Sequence, residues 1–368
     1  MKREIKSIYY IRTFAMLMVV LVHVTAPYEH LFSPDTIQHF SYHFVNRIIR
    51  VEAGIFIMLV GIVFFYNYRN RIFTKDVFFQ YWKKRVWFIL VPYIIWSFIY
   101  EYEAFYYGHS VFVWSEVIER VLTGGSKYQL HFIFTVVQFY LIFPLVLWIA
   151  QKSQFIRKYI WVFGIVIEFY FFFNRAPFGL SQYPLFVENM GAFLLGASIG
   201  LYYEKITAYI TSKRTWLLAG VFAVSSVALI LIRYQNAYGA ERVPIPESLY
   251  KGIAMVFLLV GSLFFFFLAE KMVSAYKEDT TTRIRQVAYY SFGFYLLHPL
   301  IIRQMEIYLP IKESGISWHL AILLHYIFVV IICYLIIWFF HRFIPGAGLF
   351  YGKLPKKAPL FWQTKKEA

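Results

Sequence analysis

The sequence predicts an all-α integral membrane protein, a polytopic bundle of about ten transmembrane helices. Three observations predict it: the composition, the length of the apolar runs, and the placement of the basic residues. Of 368 residues, 60% are hydrophobic and 15% are charged, and Phe and Tyr number 41 and 31. Soluble domains average roughly 45–50% apolar and about 25% charged residues. The apolar residues gather in runs such as Phe14–Val24, Leu217–Ile232, Ile253–Ala269 and Ala321–Phe340. About 20 such residues carry a helix across a hydrocarbon core of about 30 Å. The spans fall near residues 8–27, 48–66, 86–103, 130–150, 158–173, 186–203, 215–233, 250–269, 287–309 and 318–341.

The net charge of +16 would suit a nucleic-acid binder if it formed a patch, but it does not. With the N-terminus cytoplasmic, the cytoplasmic segments hold 25 Lys and Arg and the opposite loops hold 6. The other five, Arg12, Arg50, Arg233, Lys251 and Arg303, lie in or beside spans. That asymmetry is what the positive-inside rule demands. It places both termini in the cytoplasm, draws the inner face to anionic lipid, and leaves no case for nucleic acid. Cys333 is the single cysteine and lies in the last span, which excludes a disulfide framework. No small-residue cleavage site follows the charged start, so the first span is expected to remain as a helix.

The organisation reads as one transmembrane domain, 1–345, and an interfacial cytoplasmic tail, 346–368, rich in Pro, Gly and Lys. The loops 104–129 and 234–249 are long, and serve either as connectors or as binding surfaces. No internal repeat is evident, which weakens an inverted-repeat transporter reading.

Ionisable side chains in a bilayer cost on the order of 3 kcal/mol each and therefore ask for a reason. Arg12 and His23 share the first span, 11 residues apart. That is about three turns, so they occupy one helix face roughly 16 Å apart. Alone, the pair also fits a snorkelling arginine and a packed histidine. Its company adds weight. Glu52 enters the second span at similar depth to His23 and could orient it as a general base, or could simply compensate Arg50. His131 opens the fourth span, and the ninth carries Tyr295, His298, Arg303 and Glu306. His319 and His325 lie in the tenth. On the inner side, Lys83-Lys84-Arg85 abuts the third span, where three cations either hold phosphate or set topology.

These residues resemble the hallmarks of the membrane-bound acyltransferase-3 family. The Arg12-to-His23 spacing is similar to its first-helix signature. Phe56-Ile-Met-Leu-Val-Gly61 is similar to its FFxxSG segment, and Lys84-Arg85 through Ile89-Leu-Val-Pro92-Tyr93 to RxxxILxPY. Tyr128-Gln-Leu-His131-Phe132 through Tyr140 to Pro144 resembles HLWFL…YLxxP, and Ser291 to Pro299 resembles YGIYLLHP. The likeness covers roughly residues 5–340. Val60 replaces the usual Ser, Gly54 the common Pro and His131 the usual Trp, while Glu52 falls where an apolar residue is expected.

The resemblance implies an enzyme that moves an acyl group, acetyl by default, from cytoplasmic acyl-CoA to a hydroxyl of an extracytoplasmic carbohydrate. It points to the stand-alone branch that modifies exopolysaccharide and cell envelope at the plasma membrane. Arg12, Lys84 and Arg85 would meet the donor's phosphates, His23 would act as base oriented by Glu52, and Tyr295 or His298 would stabilise the oxyanion. No metal is expected. The competing reading is a transporter or flippase for a polysaccharide or lipid-linked sugar. The topology has a direct check: reporter fusions at residues 70 and 115 should give opposite signals, and matching signals would overturn the inside-to-outside arrangement.

Overall fold

The computed structural model describes residues 4–29, 31–174, 184–310, 316–358 and 360. Helix α1 (Ser7–Glu29) is followed by α2 (Ile37–Ile48), which runs through a 3-10 turn into α3 (Glu52–Tyr68). Helix α4 (Lys75–Arg85) continues through a π-turn, Val86–Leu90, into α5 (Val91–Tyr106). Pro92 has no N–H for the turn behind it, and the wide turn accommodates that loss. The short α6 (Trp114–Thr123) ends at Gly124, whose φ of +78° suits glycine. Then come α7 (Leu130–Lys152), α8 (Gln154–Asn174), α9 (Met190–Leu201) and α10 (Tyr203–Ala208). The rest comprises α11 (Ser212–Tyr238), α12 (Glu247–Ala275), α13 (Glu278–Ala288), α14 (Ser291–Tyr308), α15 (Ile316–Phe343) and α16 (Gly348–Tyr351).

Among the described residues seven helical segments are long and apolar enough to cross a membrane: α1, α2–α3, α4–α5, α7, α11, α12 and most of α15. The other three expected spans are occupied by α8, α9 and α14. Two spans begin earlier than the sequence suggested. The second was placed at 48–66, but its helix starts at Ile37, so Arg50 and Glu52 lie along a continuous rod instead of at its mouth. The third was placed at 86–103 and starts at Lys75. Large apolar side chains face outward along α15, including Leu320, Leu324, Ile331, Leu335 and Phe339. Such a stripe suits lipid, which makes the chain a multi-pass membrane protein.

Helix α9 is buried on nearly every side, from Met190 to Leu201. Its glycines let other backbones approach. A Cβ on Gly196 would stand 2.0 Å from the Met58 carbonyl oxygen of α3, and one on Gly61 would stand 2.3 Å from that of Phe193. Small residues at helix contacts are how membrane helices pack without a hydrophobic drive between them. A buried ion pair fixes the same centre. Lys251 Nζ of α12 donates to Glu168 Oε1 of α8 at 2.7 Å, and Glu168 Oε2 accepts from Gly191 N of α9 at 2.9 Å.

Part of the expected tail is packed into the bundle. Trp96 Nε1 donates to the Phe350 carbonyl at 2.8 Å, Tyr351 is buried, and Gly352 (φ +74°) leaves room for the Phe88 carbonyl. His341 Nε2 donates to Pro355 O at 2.9 Å and Trp338 Nε1 to Ala358 O at 3.1 Å. Residues 359 and 361–368 lie outside the described residues. The packing of α9 is tested by two like substitutions. Gly196→Ala should lower the melting temperature sharply in detergent. Gly220→Ala, where a Cβ meets nothing within 4 Å, should leave it level or raise it. Equal effects would dismiss the close α3–α9 contact.

Candidate active site

A cavity of about 760 Å³ opens on the face that carries both Glu4 and the segment Lys353–Pro355. This is called the terminal face below. Around its mouth lie Glu4, Tyr9, Asn67, Tyr289 and Lys353. Further in, the walls are Leu59, Val60, Ile133 and Val136, and the inner end is Phe56, Phe132 and Tyr295. A polar mouth over an apolar shaft is the usual build of a small-molecule site.

Arg12 lines this cavity, as expected of a functional first-helix cation. Its guanidinium lies among the hydroxyl-bearing Tyr9, Tyr140 and Tyr289. Among the described residues no carboxylate pairs with it within 4.0 Å. The nearby Glu4 is engaged elsewhere, accepting from the Tyr9 hydroxyl and facing Arg285 at 3.8 Å. A half-buried cation without a counter-charge is costly, and an anion in the cavity would reduce that cost.

Beyond the inner end stands a pair of histidines. The rings of Phe56, Phe132 and Tyr295 pack edge to face with centroids 5.8–6.1 Å apart. Tyr295 lies 6.2 Å from His298, whose ring stacks on His23 at 5.2 Å and 29°. Pro299 cannot donate to the turn behind it, and the His298 imidazole lies against that opened turn. Its Nδ1–H donates to the Phe294 carbonyl at 2.8 Å, because a carbonyl can only accept. Nε2 therefore carries the lone pair, and it is buried without a partner. On its other side His23 meets Tyr128, ring centroids 4.4 Å apart. The Tyr295 hydroxyl donates to the Gln129 carbonyl.

The structure thus brings together Arg12, Tyr295, His298 and His23 from α1 and α14. It does not pair Glu52 with His23. Glu52 lies within the continuous α2–α3 rod, and its Oε2 turns back to accept from the adjacent Ala53 N–H at 2.8 Å. Lys84 is exposed, and Arg85 lies over the rings of Tyr81 at 4.0 Å and Phe64 at 4.8 Å. Neither lines the cavity; Arg85 backs its wall through Tyr140, 5.8 Å away. His131 is exposed, His319 meets the Tyr42 hydroxyl at 2.5 Å, and His325 meets that of Tyr28 at 2.9 Å.

Sequence reasoning missed Tyr128, Gln129 and Lys353. The first two sit beside His131, the residue that carried the motif, and Lys353 was hidden in an apparent tail. It also missed a buried pair on α1 and α2, where His43 Nδ1–H donates to Glu29 Oε1 at 2.7 Å and the Tyr238 hydroxyl of α11 donates to the same oxygen at 3.2 Å. Among the described residues no cluster of His, Cys, Asp and Glu is arranged to hold a metal.

A cavity lined by Arg12 and a histidine pair beyond it lie within a bundle of membrane-spanning helices, which defines a polytopic integral membrane protein. The particular family follows from comparison: the acyltransferase domain family of acyltransferase-3 type matches residues 5–347, and the chain belongs to it. That membership supports acyltransferase activity. The chain is similar to the probable poly-beta-1,6-N-acetyl-D-glucosamine export protein of Staphylococcus aureus strain MSSA476, 24% identical over 343 residues, 89% of this chain and 91% of the relative. The protein of the same name from Staphylococcus epidermidis is 24% identical over 337 residues, 88% of each. No solved structure matches.

The Tyr295–Gln129 bond has a measurable role in holding α14 to the start of α7. Tyr295→Phe removes one of two donors to the Gln129 carbonyl, which keeps the Phe132 N–H at 3.1 Å, and the lost bond costs about 0.5–1.5 kcal/mol. The melting temperature in detergent should fall accordingly, and an unchanged value would show that the bond contributes nothing.

Proposed function

We propose that this protein is an O-acyltransferase of the cell membrane. It moves an acyl group, acetyl first among candidates, from acyl-CoA on the cytoplasmic terminal face to a hydroxyl of an extracytoplasmic carbohydrate. One observation carries the reading: the unpaired Arg12 lines a cavity whose inner end, Tyr295, stands beside the His298–His23 pair. The family and the carbohydrate in the relatives' names support it.

Arg12 and, at the mouth, Lys353 would meet the phosphates of coenzyme A, with Arg85 contributing through the wall. The pantetheine arm would follow the apolar shaft toward Phe56 and Phe132. His23 would take the proton of the acceptor hydroxyl as its oxygen attacks the thioester carbonyl. The C–S bond then breaks, and the thiolate recovers the proton from His23, so no net proton is left behind. His298, stacked on His23 ring to ring at 5.2 Å, would help hold the plane of the base, while Glu52, expected from sequence to orient it, turns to the Ala53 N–H. Tyr128, stacked on His23, fixes its ring plane. The basic terminal face would rest on anionic lipid.

The relatives' names favour a second reading, export of a polysaccharide. Against a through-path stands the packed Phe56, Phe132 and Tyr295 trio between the cavity and the histidines.

The decisive assay is acyl-CoA consumption and ester formation by purified protein in liposomes, with a carbohydrate acceptor. His23→Gln keeps the shape but cannot take a proton, and should cost at least about 10²-fold in kcat. Arg12→Gln should raise KM for acyl-CoA instead, and the effect should shrink at high salt. Near-normal turnover in His23→Gln would remove His23 from the role of base, and ester-free polysaccharide export by the same vesicles would favour the exporter.

A further inference from the structure

The molecule holds a second set of unsatisfied polar groups, on the far side of His23 from the cavity. Ser291 and Phe292, at the start of α14, line the cavity, so the other end of that helix points to the opposite face. Glu306 lies there, about 12 Å beyond His298 at 1.5 Å per residue. Tyr28 stands five residues above His23 on α1, and its hydroxyl meets His325 Nδ1 at 2.9 Å. Glu306 is near enough to act electrostatically on both Tyr28 and Tyr128.

Among the described residues two side chains in this region carry orphaned groups. Gln129 is 3% exposed, and neither its Nε2 nor its Oε1 has a partner. His325 Nε2 is likewise buried and unpartnered. Burying an amide without hydrogen bonds costs about 1–3 kcal/mol, so the fold carries Gln129 at a loss unless something binds it. The neighbouring Tyr128 gives access from outside: its ring lies against His23, tilted by 35°, yet it keeps 50% of its surface accessible.

The chemistry of these groups is specific. A side-chain amide presents a donor and an acceptor side by side, which matches two neighbouring hydroxyls. His325 Nε2 and the partly exposed Glu306 carboxylate, which faces Arg303 at 3.8 Å, add further hydrogen-bonding groups, and the Tyr128 ring offers an apolar face. Hydroxyl-rich rings with apolar faces are saccharides. We propose that Gln129, with Tyr128, Glu306 and His325, forms a saccharide-binding subsite that opens opposite the terminal face and delivers a hydroxyl to His23. This deepens the acyl-transfer reading and rests on it for the direction of the reaction, though not for the binding.

The test separates binding from chemistry. Purified protein in nanodiscs is titrated with a β-1,6-linked N-acetylglucosamine oligosaccharide, without acyl donor, and separately with coenzyme A. Gln129→Leu removes an amide that no protein group uses, so its melting temperature should hold or rise. Its oligosaccharide Kd should increase at least about tenfold, because a site built around a hydrogen bond rejects loss of that bond. Its coenzyme A affinity should stay unchanged. Glu306→Ala should weaken the oligosaccharide in the same direction. Wild-type affinity in Gln129→Leu, or no binding by the unaltered protein, overturns the subsite. If binding is lost in the variant while the unaltered protein transfers no acyl group, the subsite stands and the acyl-transfer reading falls.

Discussion

Hydrocarbon offers no hydrogen bonds, and that constraint orders everything else in this chain. A polar group placed inside the bundle must find a protein partner, bind something, or be a burden of several kcal/mol. Most of the interior groups obey the first option. Glu168 is met by Lys251 and Gly191 N–H, Glu29 by His43 and Tyr238, and Glu101 by Arg120 at 2.8 Å. Against that background the exceptions stand out. Among the described residues Arg12 pairs with no carboxylate, His298 Nε2 has no partner, and neither the nitrogen nor the oxygen of the Gln129 side chain has one. They lie in succession along the path from the cavity mouth to the opposite face.

The satisfied groups and the exceptions depend on each other. The α3–α9 contact, made without side chains at Gly61 and Gly196, and the Glu168–Lys251 pair give a centre that does not flex easily. Phe56 of α3 is held by that centre, and with Phe132 and Tyr295 it forms the partition between cavity and histidines. Tyr295 is held in turn by the Gln129 carbonyl. The residue that carries the orphaned amide therefore also fixes one leaf of the partition.

Much of this was legible in sequence, for physical reasons. Span positions follow from apolar length. The Arg12–His23 face follows from helical periodicity, and His298 from its place before a proline in an apolar run. What sequence could not give was the direction in which a charged side chain spends its interactions. Glu52 looked like a partner for His23 by depth, yet its carboxylate turns back onto the adjacent Ala53 N–H. Lys84 and Arg85 looked like a phosphate grip, yet one faces outward and the other lies on aromatic rings. Lys353 looked like tail. Only the hydrogen bonds of Trp96, Trp338 and His341 to that segment bring it to the cavity mouth.

The tail's return has a consequence for catalysis. In the proposed reaction a donor with several phosphates would be gripped at the terminal face while its thioester reached a site roughly 16 Å deeper, the Arg12-to-His23 separation along α1. Arg12 alone could bind an anion but would leave the orientation of a long ligand free. Lys353, on a separate segment fixed through α5 and α15, supplies a second point on the opposite wall of the mouth. Two cations on independent elements define a direction, and that direction is down the shaft toward Tyr295. On the other side of the partition the same logic applies to the acceptor, which needs a hydroxyl at His23 and a sugar ring held further out. The histidine pair lies between the two, behind the Phe56, Phe132 and Tyr295 partition, so in the proposed reaction the acyl group would pass that partition while a polymer would not.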